Sequence, residues 1–474
     1  MVPSETPRSE EPHLPWLGER RNLPCQIPGA IPPPLREPSS ASAPAHSIPE
    51  LSRRSAARWV LLLVIATWLM PSSAETPDLE ERIRGLLLGS ALGDALGGPI
   101  EFQDPAAIQR LTNPPCRWTD AMVLDEPERK ATAARLCLRR YQDLRPFPES
   151  YGQWNTNAAP GTVTDDTRHK LILLHALHRA QSTKTWPLDR NAYAQSHLDW
   201  PLQPVITNSP AYLDLARDWL EEWQFAARWI LGRREPQWAK PPERMWQGLP
   251  TCSGQMSLLP LAAIYAGDPD RAYRAAYHLG FFDNGFGKDL NAALVAGLAT
   301  ALAVPVDPNI PAVAWKTVLD SMRQTDPYAY TKIRWSERAV HRWLNRALQM
   351  AEKAEHRPAR LFAALEAEFR TTTKWEAQVP FVVVFSCLAL ADFDPLAALQ
   401  LTLEWGHDSD SYAQVAACFI GALYGTRLFP AEWLRAVNQR VDQDFSVNLD
   451  EEARFLAVLH REATQGRELV GERP

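Results

Sequence analysis

The chain has 474 residues, of which 45% are hydrophobic and 22% are charged, a composition typical of a globular protein with a sizeable core. Lys and Arg total 50 against 56 Asp and Glu, so the formal charge is −6 and there is no basic excess to neutralise nucleic-acid phosphates. Six cysteines are too few for a disulfide scaffold, and no apolar run reaches the ~18–20 residues of a membrane-spanning helix. The composition therefore predicts no nucleic-acid partner and no stable membrane span.

Proline and serine are concentrated at the start of the chain. Twelve of the 41 prolines and six serines fall within residues 1–50, where apolar residues follow neither a helical nor a strand period. Such a segment cannot bury enough apolar surface to offset its conformational entropy. We expect residues 1–50 to be disordered and to stand outside the fold.

The next segment, 51–74, has the three parts of a secretory signal. Three arginines precede the short apolar run 59–70, and small residues follow it up to Ala74. This pattern predicts export and a mature chain that begins near Glu75. The segment lies about 50 residues later than a signal peptide normally does, which fits a true start site further downstream. The alternative is an apolar linker helix that packs on the domain of a cytoplasmic protein.

From about Thr76 onward the apolar residues recur at helical spacing, alanine and leucine dominate, and β-branched alternation is scarce. The run 382–385 is strand-like, but it lies inside an apolar stretch long enough to be a buried helix. The sequence therefore predicts one large all-α domain over residues 78–465. The predicted helices are 80–97, 167–181, 211–231, 257–282, 289–303, 336–354, 359–369, 379–391, 395–405, 411–425 and 431–441.

The first of these helices carries glycines at regular spacing. They occupy every fourth position from Gly85 to Gly97 and form a stripe along the helix. Each costs about 1 kcal/mol relative to alanine in a helix interior, so the stripe predicts a close approach of a partner helix or of a ligand. Packing does not explain the carboxylate of Glu101, which follows Pro99 where the helix has to end.

Two further segments, 161–167 and 406–411, share one pattern: a glycine, then hydroxyl and carboxylate side chains, then a helix. Helix capping explains either segment alone, because Ser, Thr and Asp are favoured N-cap residues. A cap, however, needs one acceptor, and clustered carboxylates repel one another unless a cation lies between them. Carboxylate and hydroxyl oxygens are the ligands that Mg²⁺ prefers. If the two segments face each other, they predict a site for two metal ions.

Together, the three segments resemble the ADP-ribosylglycohydrolase family, which includes the dinitrogenase reductase-activating glycohydrolases. The family pattern G-x-x-x-G-x-A-x-G-D-A-x-G-x-P-x-E-F corresponds to residues 85–102, and G-x-x-T-D-D-T corresponds to 161–167. The third pattern, G-x-D-[ST]-D-[ST], corresponds to 406–411 and precedes a Gly- and Ala-rich helix. The resemblance covers roughly residues 80–426.

This resemblance implies a single large orthogonal helical domain that binds two Mg²⁺ ions and hydrolyses the bond between ADP-ribose and an acceptor. The implied partner is an ADP-ribosylated substrate or an ADP-ribose-like small molecule. Glu101 takes the role of a catalytic or metal-gating carboxylate, and Asp94 takes a structural role. The implied metal ligands are Thr164, Asp165, Asp166, Asp408, Asp410 and Ser411.

The chain departs from the family pattern at two positions. A middle segment that commonly reads G-[SA]-x-M-R is S-G-Q-M-S at 253–257, so the arginine after Met256 is absent. His407 stands where the family often has glycine or asparagine. Two alternatives to an ADP-ribosyl hydrolase therefore stay open. One is a metal-retaining but non-hydrolytic protein, and the other is a hydrolase of a different nucleotide or glycoside.

Overall fold

The computed structural model describes residues 77–111, 161–200, 213–235, 237–307, 310–332 and 335–471. The disordered segment predicted at 1–50 and the signal-like segment predicted at 51–74 lie outside these residues.

Within the described ranges the chain is helical, and no strand is present apart from isolated bridges such as Thr251 with Glu376. Short 3₁₀ helices occupy Gly98–Ile100, Pro242–Gly248 and Tyr330–Lys332. The all-α prediction is confirmed. The α-helices are α1 (Leu79–Gly97), α2 (Pro105–Leu111), α3 (Asp165–Thr183), α4 (Arg190–Asp199), α5 (Leu213–Ile230), α6 (Ser253–Ser257), α7 (Leu261–Ile264), α8 (Pro269–Leu279), α9 (Gly287–Ala301), α10 (Pro311–Gln324), α11 (Ala339–Ala354), α12 (Pro358–Glu368), α13 (Gln378–Leu390), α14 (Pro395–Trp405), α15 (Ser409–Tyr424), α16 (Ala431–Phe445) and α17 (Leu449–Thr464).

One predicted helix, 257–282, is wrong in extent, because the structure divides this stretch among the end of α6, α7 and α8. Pro260 precedes α7 and supplies no backbone N–H. Gly267 then adopts a left-handed conformation with φ +81°, and Asp268 caps α8 by accepting from the Arg271 amide. Apolar residues recur on both sides of Pro260 and of the run Gly267-Asp268-Pro269, but these breaker residues override the helical period.

The core contains a helix that is buried on all sides. α13 carries the run 382–385, and each of these four residues is at most 4% exposed. α13 packs against α11, α14 and α15, which explains why it has no polar face. The strand-like run is therefore part of a buried helix, as expected. In the described part of the chain, no helix is long and apolar enough to cross a membrane.

The glycine stripe of α1 is the contact surface for α15. A Cβ atom at Gly85 would lie 2.5 Å from the carbonyl oxygen of Gly421, and one at Gly93 would lie 2.2 Å from that of Ala413. Only glycine lets the two backbones approach so closely. The expectation of a close helix partner is confirmed, and this pairing brings the first and third sequence segments together.

Candidate metal centre

The C-terminal end of α1 meets the N-terminal end of α15. A Cβ atom at Gly97 would lie 2.4 Å from the backbone nitrogen of Asp410, and the hydroxyl of Ser409 donates to the carbonyl oxygen of Gly97 at 2.9 Å. The 3₁₀ helix with Pro99 then ends the α1 segment, and Glu101 follows at only 3% exposure. This sequence of turns buries the Glu101 carboxyl beside the start of α15.

Asp94 connects α1 to the start of α3. One carboxylate oxygen of Asp94 accepts from the Thr164 amide at 2.9 Å, and the other accepts from the Thr167 amide at 2.9 Å and from the Thr167 hydroxyl. Both oxygens therefore stabilise the N-terminus of α3, where backbone N–H groups lack helical partners. The structural role expected for Asp94 agrees with these bonds.

Capping does not account for the remaining carboxylates. At α3 the cap is the hydroxyl of Thr164, which accepts from the Asp166 amide at 3.2 Å. At α15 the N-cap residue is Asp408, and its side chain makes no capping hydrogen bond. The acidic side chains of these two helix starts need another explanation.

The carboxylates form two sets that share one member. Oxygen atoms of Glu101, Asp408 and Asp410 lie within 4.8 Å of one another, and so do oxygen atoms of Asp165, Asp166 and Asp410. The Ser411 hydroxyl also donates to Asp166 at 3.1 Å and so bridges the two helix starts. The two acidic segments thus face each other, and Asp410 lies between the two sets.

Several of these carboxylates have an oxygen that is buried without a hydrogen-bond partner in the described structure. These atoms are Oε2 of Glu101, Oδ1 of Asp166, Oδ2 of Asp408 and Oδ1 of Asp410. Buried polar atoms are almost always paired, because an unpaired one costs about 1–3 kcal/mol. Four such oxygens around one small space fit a ligand that is positively charged or donates hydrogen bonds.

Burial and mutual repulsion favour the protonated form of the carboxyls. Loss of hydration, with Asp408 as the next cause, raises the pKa of Glu101 well above its ordinary value. Burial also raises the pKa of Asp408 to about 7 and, against the attraction of nearby cationic side chains, that of Asp165 to about 6. For Asp410, burial and then Glu101 raise the pKa well above its usual range. A cation among these groups would reverse this effect.

Some positive charge already lies behind the cluster. Lys170 is buried one turn into α3, and its ammonium group donates to the backbone carbonyl of Asp166 at 2.7 Å. Burial lowers the pKa of Lys170, and the charge of Asp166 acts in the opposite direction. The guanidinium of Arg168 donates to the carbonyl of Val163 at 3.0 Å. These two cations offset only part of the negative charge of six neighbouring carboxylates, namely the five of the two sets and that of Asp94.

A cavity of about 140 Å³ opens over the carboxylates and has an aromatic wall. This is below the ~300–1,000 Å³ of pockets that enclose a drug-sized ligand, so the cavity encloses only part of a nucleotide-sized one. The wall was not predicted from the sequence: Phe102 ends the first family pattern, but the tryptophans come from separate segments and belong to no motif. Its aromatic members are Phe102, Trp223, Trp246 and Trp375.

The aromatic wall is held by stacking and by unusual backbone geometry. The His169 ring packs on Trp223 with centroids 4.0 Å apart, and Trp246 meets Trp223 edge-on at 5.6 Å. Trp246 and Gln247 both adopt left-handed conformations, with φ of +48° and +59°. Non-glycine residues adopt this conformation in only a few per cent of cases, and such residues are enriched at functional sites.

The structure brings most of the predicted site residues to one cavity. Six of them line it: Glu101, Asp165, Asp166, Asp408, Asp410 and Ser411. Thr164 is adjacent in the chain, but its hydroxyl serves as the cap of α3. The assignment of all seven as catalytic or metal-binding residues stays a prediction.

The altered middle segment lies beside the site. Cys252, Ser253 and Met256 line the cavity, and the Cys252 thiol lies 3.9 Å from the Ser411 hydroxyl. Ser257, which stands where the family commonly has arginine, is fully buried and donates to the carbonyl of Ser253 at 2.7 Å. Its side chain is therefore used within α6.

Comparison with known proteins gives one strong relationship. The model of the ADP-ribosylglycohydrolase family matches residues 75–466, which is most of the chain. No curated protein matches the chain significantly. The chain belongs to the ADP-ribosylglycohydrolase family, and its helical fold and hydrolase class are those of that family.

Proposed function

We propose that this protein is a Mg²⁺-dependent hydrolase that cleaves the glycosidic bond between ADP-ribose and an acceptor. The observation that carries the proposal is the pair of carboxylate sets with Asp410 in common. Each set offers three carboxylates within 4.8 Å of one another, and the shared carboxylate places the two sets side by side, as two neighbouring cations would need.

The residues present fit divalent cations. The donors are all oxygen atoms, which Mg²⁺ prefers, and four of them are buried with no hydrogen-bond partner among the described residues. Glu101, Asp408 and Asp410 would hold one ion, and Asp165, Asp166 and Asp410 would hold the other. Thr164 and Ser411 are assigned as hydroxyl ligands beside these sets. When bound, such ions supply Lewis acidity and orient oxygen-rich ligands.

The other side chains bind and orient the substrate. The aromatic wall offers flat apolar surfaces to a sugar or base, while the carboxylates face the oxocarbenium character that develops as a glycosidic bond breaks. We assign proton transfer or metal gating to Glu101, because its carboxyl is buried, has an oxygen with no partner and has a raised pKa. While no cation lies beside it, such a group holds a proton more readily than an ordinary carboxyl and can deliver it to a leaving group.

A hydrolase of a different nucleotide or glycoside is the second candidate. The observation that favours it is Ser257, whose hydroxyl bonds within α6 where an arginine would place a charge. A non-hydrolytic protein that keeps the metals is the third candidate. We also propose export of the protein, which rests on the sequence pattern of 51–74 alone.

The test is a product assay with the purified protein. The protein would be stripped with a chelator, reloaded with Mg²⁺ and incubated with peptides ADP-ribosylated on arginine, on serine or on acidic residues. We expect release of free ADP-ribose that depends on Mg²⁺ and is lost in Asp410→Asn. Metal uptake without release from any peptide would contradict the proposed substrate and favour the second or third candidate.

A further inference from the structure

The loop that carries Glu101 and the loop that carries Asp408 are joined by backbone hydrogen bonds. The Phe102 amide donates to the carbonyl of His407 at 2.5 Å, and the His407 amide donates to the carbonyl of Gln103 at 2.7 Å. His407 therefore makes a reciprocal pair with the two residues that follow Glu101. This pair fixes the separation of two carboxylates that belong to the same set.

The two loops approach each other closely at Gly406. A Cβ atom at Gly406 would lie 2.2 Å from the carbonyl oxygen of Gln103, and Gly406 has φ +73° and ψ −136°. His407 and Phe102 are both left-handed, with φ of +58° and +61°. Non-glycine residues in this region cost free energy, so something outside the loops has to hold them there.

The His407 side chain provides such an anchor. Its Nε2 lies 2.5 Å from a carboxylate oxygen of Glu366 on α12, and its ring packs against Trp405 with centroids 4.7 Å apart. The hydrogen bond from His407 lowers the pKa of Glu366, which keeps the acceptor ionised. Glu366 lies outside the cavity lining, and among the described residues its hydrogen bond to His407 connects it to the site.

We propose that Glu366 and His407 form a strut that positions Glu101 relative to Asp408. Glu366 is a positioning residue, since it acts through His407 and not on the substrate. The inference rests on the proposed function, because the strut sets the geometry of the Glu101, Asp408 and Asp410 set. It leaves the Asp165 and Asp166 side of the site untouched.

The structure offers a matched control on the same helix. Glu368 pairs with Arg346 of α11, with Nε of Arg346 3.0 Å from its carboxylate, and this pair does not reach the site. Glu366→Ala and Glu368→Ala each remove one partly exposed carboxylate, and the contact that it makes, from α12. Glu366→Gln keeps an acceptor oxygen at the same reach and tests whether the hydrogen bond suffices.

The first readout needs neither metal nor substrate. Amide hydrogen exchange would be followed at Phe102 and His407 in the metal-free wild-type protein and in the three variants. We expect both amides to exchange faster in Glu366→Ala than in the wild type. In Glu368→Ala the exchange rates should equal those of the wild type, and in Glu366→Gln they should be close to them. Unchanged exchange in Glu366→Ala would overturn the strut.

The second readout is calorimetric titration with Mg²⁺. We expect Glu366→Ala to weaken one of two binding steps by about 10–100-fold, as loss of a partner behind a metal ligand does, and to leave the other step unchanged. Two unaltered steps would overturn the positioning role and leave the proposed function standing. A wild-type protein with no binding step would instead overturn the proposed metal centre itself, a separate and distinguishable failure.

Discussion

At the scale of single residues, the site consists of carboxylates placed where folding alone disfavours them. Glu101, Asp166 and Asp410 are at most 3% exposed, and each has an oxygen with no partner in the described structure. Like charges at this separation repel, and burial adds the cost of lost hydration. The protein gives up stability at this site, as functional sites commonly do.

The sequence predicts these carboxylates because they are grouped around two helix starts. It does not predict the aromatic wall or Glu366, because nothing in the local pattern separates Trp246 from a packing tryptophan. Likewise, nothing in the sequence around Glu366 distinguishes it from any other exposed glutamate on a helix. Such residues acquire a role only through contacts between distant segments, which the sequence of one chain does not reveal.

The raised pKa values predict how stability changes with pH. Folding raises the pKa of Asp165 to about 6 and that of Asp408 to about 7, above the ordinary 3.8, mainly through burial. Between the unfolded pKa of 3.8 and these folded values, the folded state binds more protons than the unfolded state. The stability that this extra proton binding contributes is therefore present at low pH and lost as pH rises.

Glu101, Asp166 and Asp410 act in the same direction, whereas burial lowers the pKa of His197 to about 4 and acts in the opposite one. Because the buried carboxyls outnumber this histidine, chemical unfolding of the metal-free protein should give a smaller free energy of unfolding at pH 8 than at pH 5.

The control for this prediction is Asp408→Asn, which has no carboxyl to titrate at that position. Asn is as good an N-cap residue as Asp, and Asp408 makes no capping bond to lose. The variant should therefore show a weaker pH dependence and a loss of at most about 1 kcal/mol. A wild-type stability that rises from pH 5 to pH 8, with the same slope in the variant, would argue against the buried acidic cluster.

At the scale of elements, periodicity predicts most helices, and local chemistry sets their ends. The prediction 395–405 coincides with α14, which begins after the capping residue Asp394. The helices α2, α4, α10 and α17 were not predicted. In α17 polar residues are as numerous as apolar ones, and the Asn448 side chain caps its start. Tertiary packing of a narrow apolar face decides such helices more than their own propensity does.

The glycine stripe allows a direct test of helix packing. In Gly93→Ala the added methyl group would lie 2.2 Å from the carbonyl oxygen of Ala413, so α1 and α15 would have to separate. We expect the free energy of unfolding, measured by denaturant titration, to fall by about 1–3 kcal/mol. Gly471→Ala is the control, because its nearest neighbour would lie 3.6 Å away, an ordinary contact. Equal stability of both variants would refute the close α1–α15 contact.

At the scale of the whole molecule, one helix pair assembles the site. α1 and α15 come from opposite ends of the domain, and their backbone contact places Glu101 beside Asp408 and Asp410. Asp94 then ties the start of α3 to the same place through Thr164. The sequence contains the three segments in order, but their convergence depends on the folded chain.

Export also belongs to this scale, and it stays a prediction. The basic, apolar and small-residue parts of 51–74 predict cleavage after Ala74. N-terminal sequencing of protein isolated from its native source should therefore return a chain beginning near Glu75. A native protein that begins at Met1 or Val2 would contradict the prediction.

The central claim is that the buried carboxylates hold two divalent cations with Asp410 between them. Calorimetric Mg²⁺ titration of the wild-type protein and of Asp408→Asn, Asp165→Asn and Asp410→Asn tests it most directly. We predict two binding steps in the wild type. One step should weaken in Asp408→Asn and one in Asp165→Asn, whereas both should weaken in Asp410→Asn, because Asp410 belongs to both sets. Each change removes a negative charge beside a cation. A wild-type protein that takes up no Mg²⁺, or variants that all bind it as the wild type does, would contradict the account.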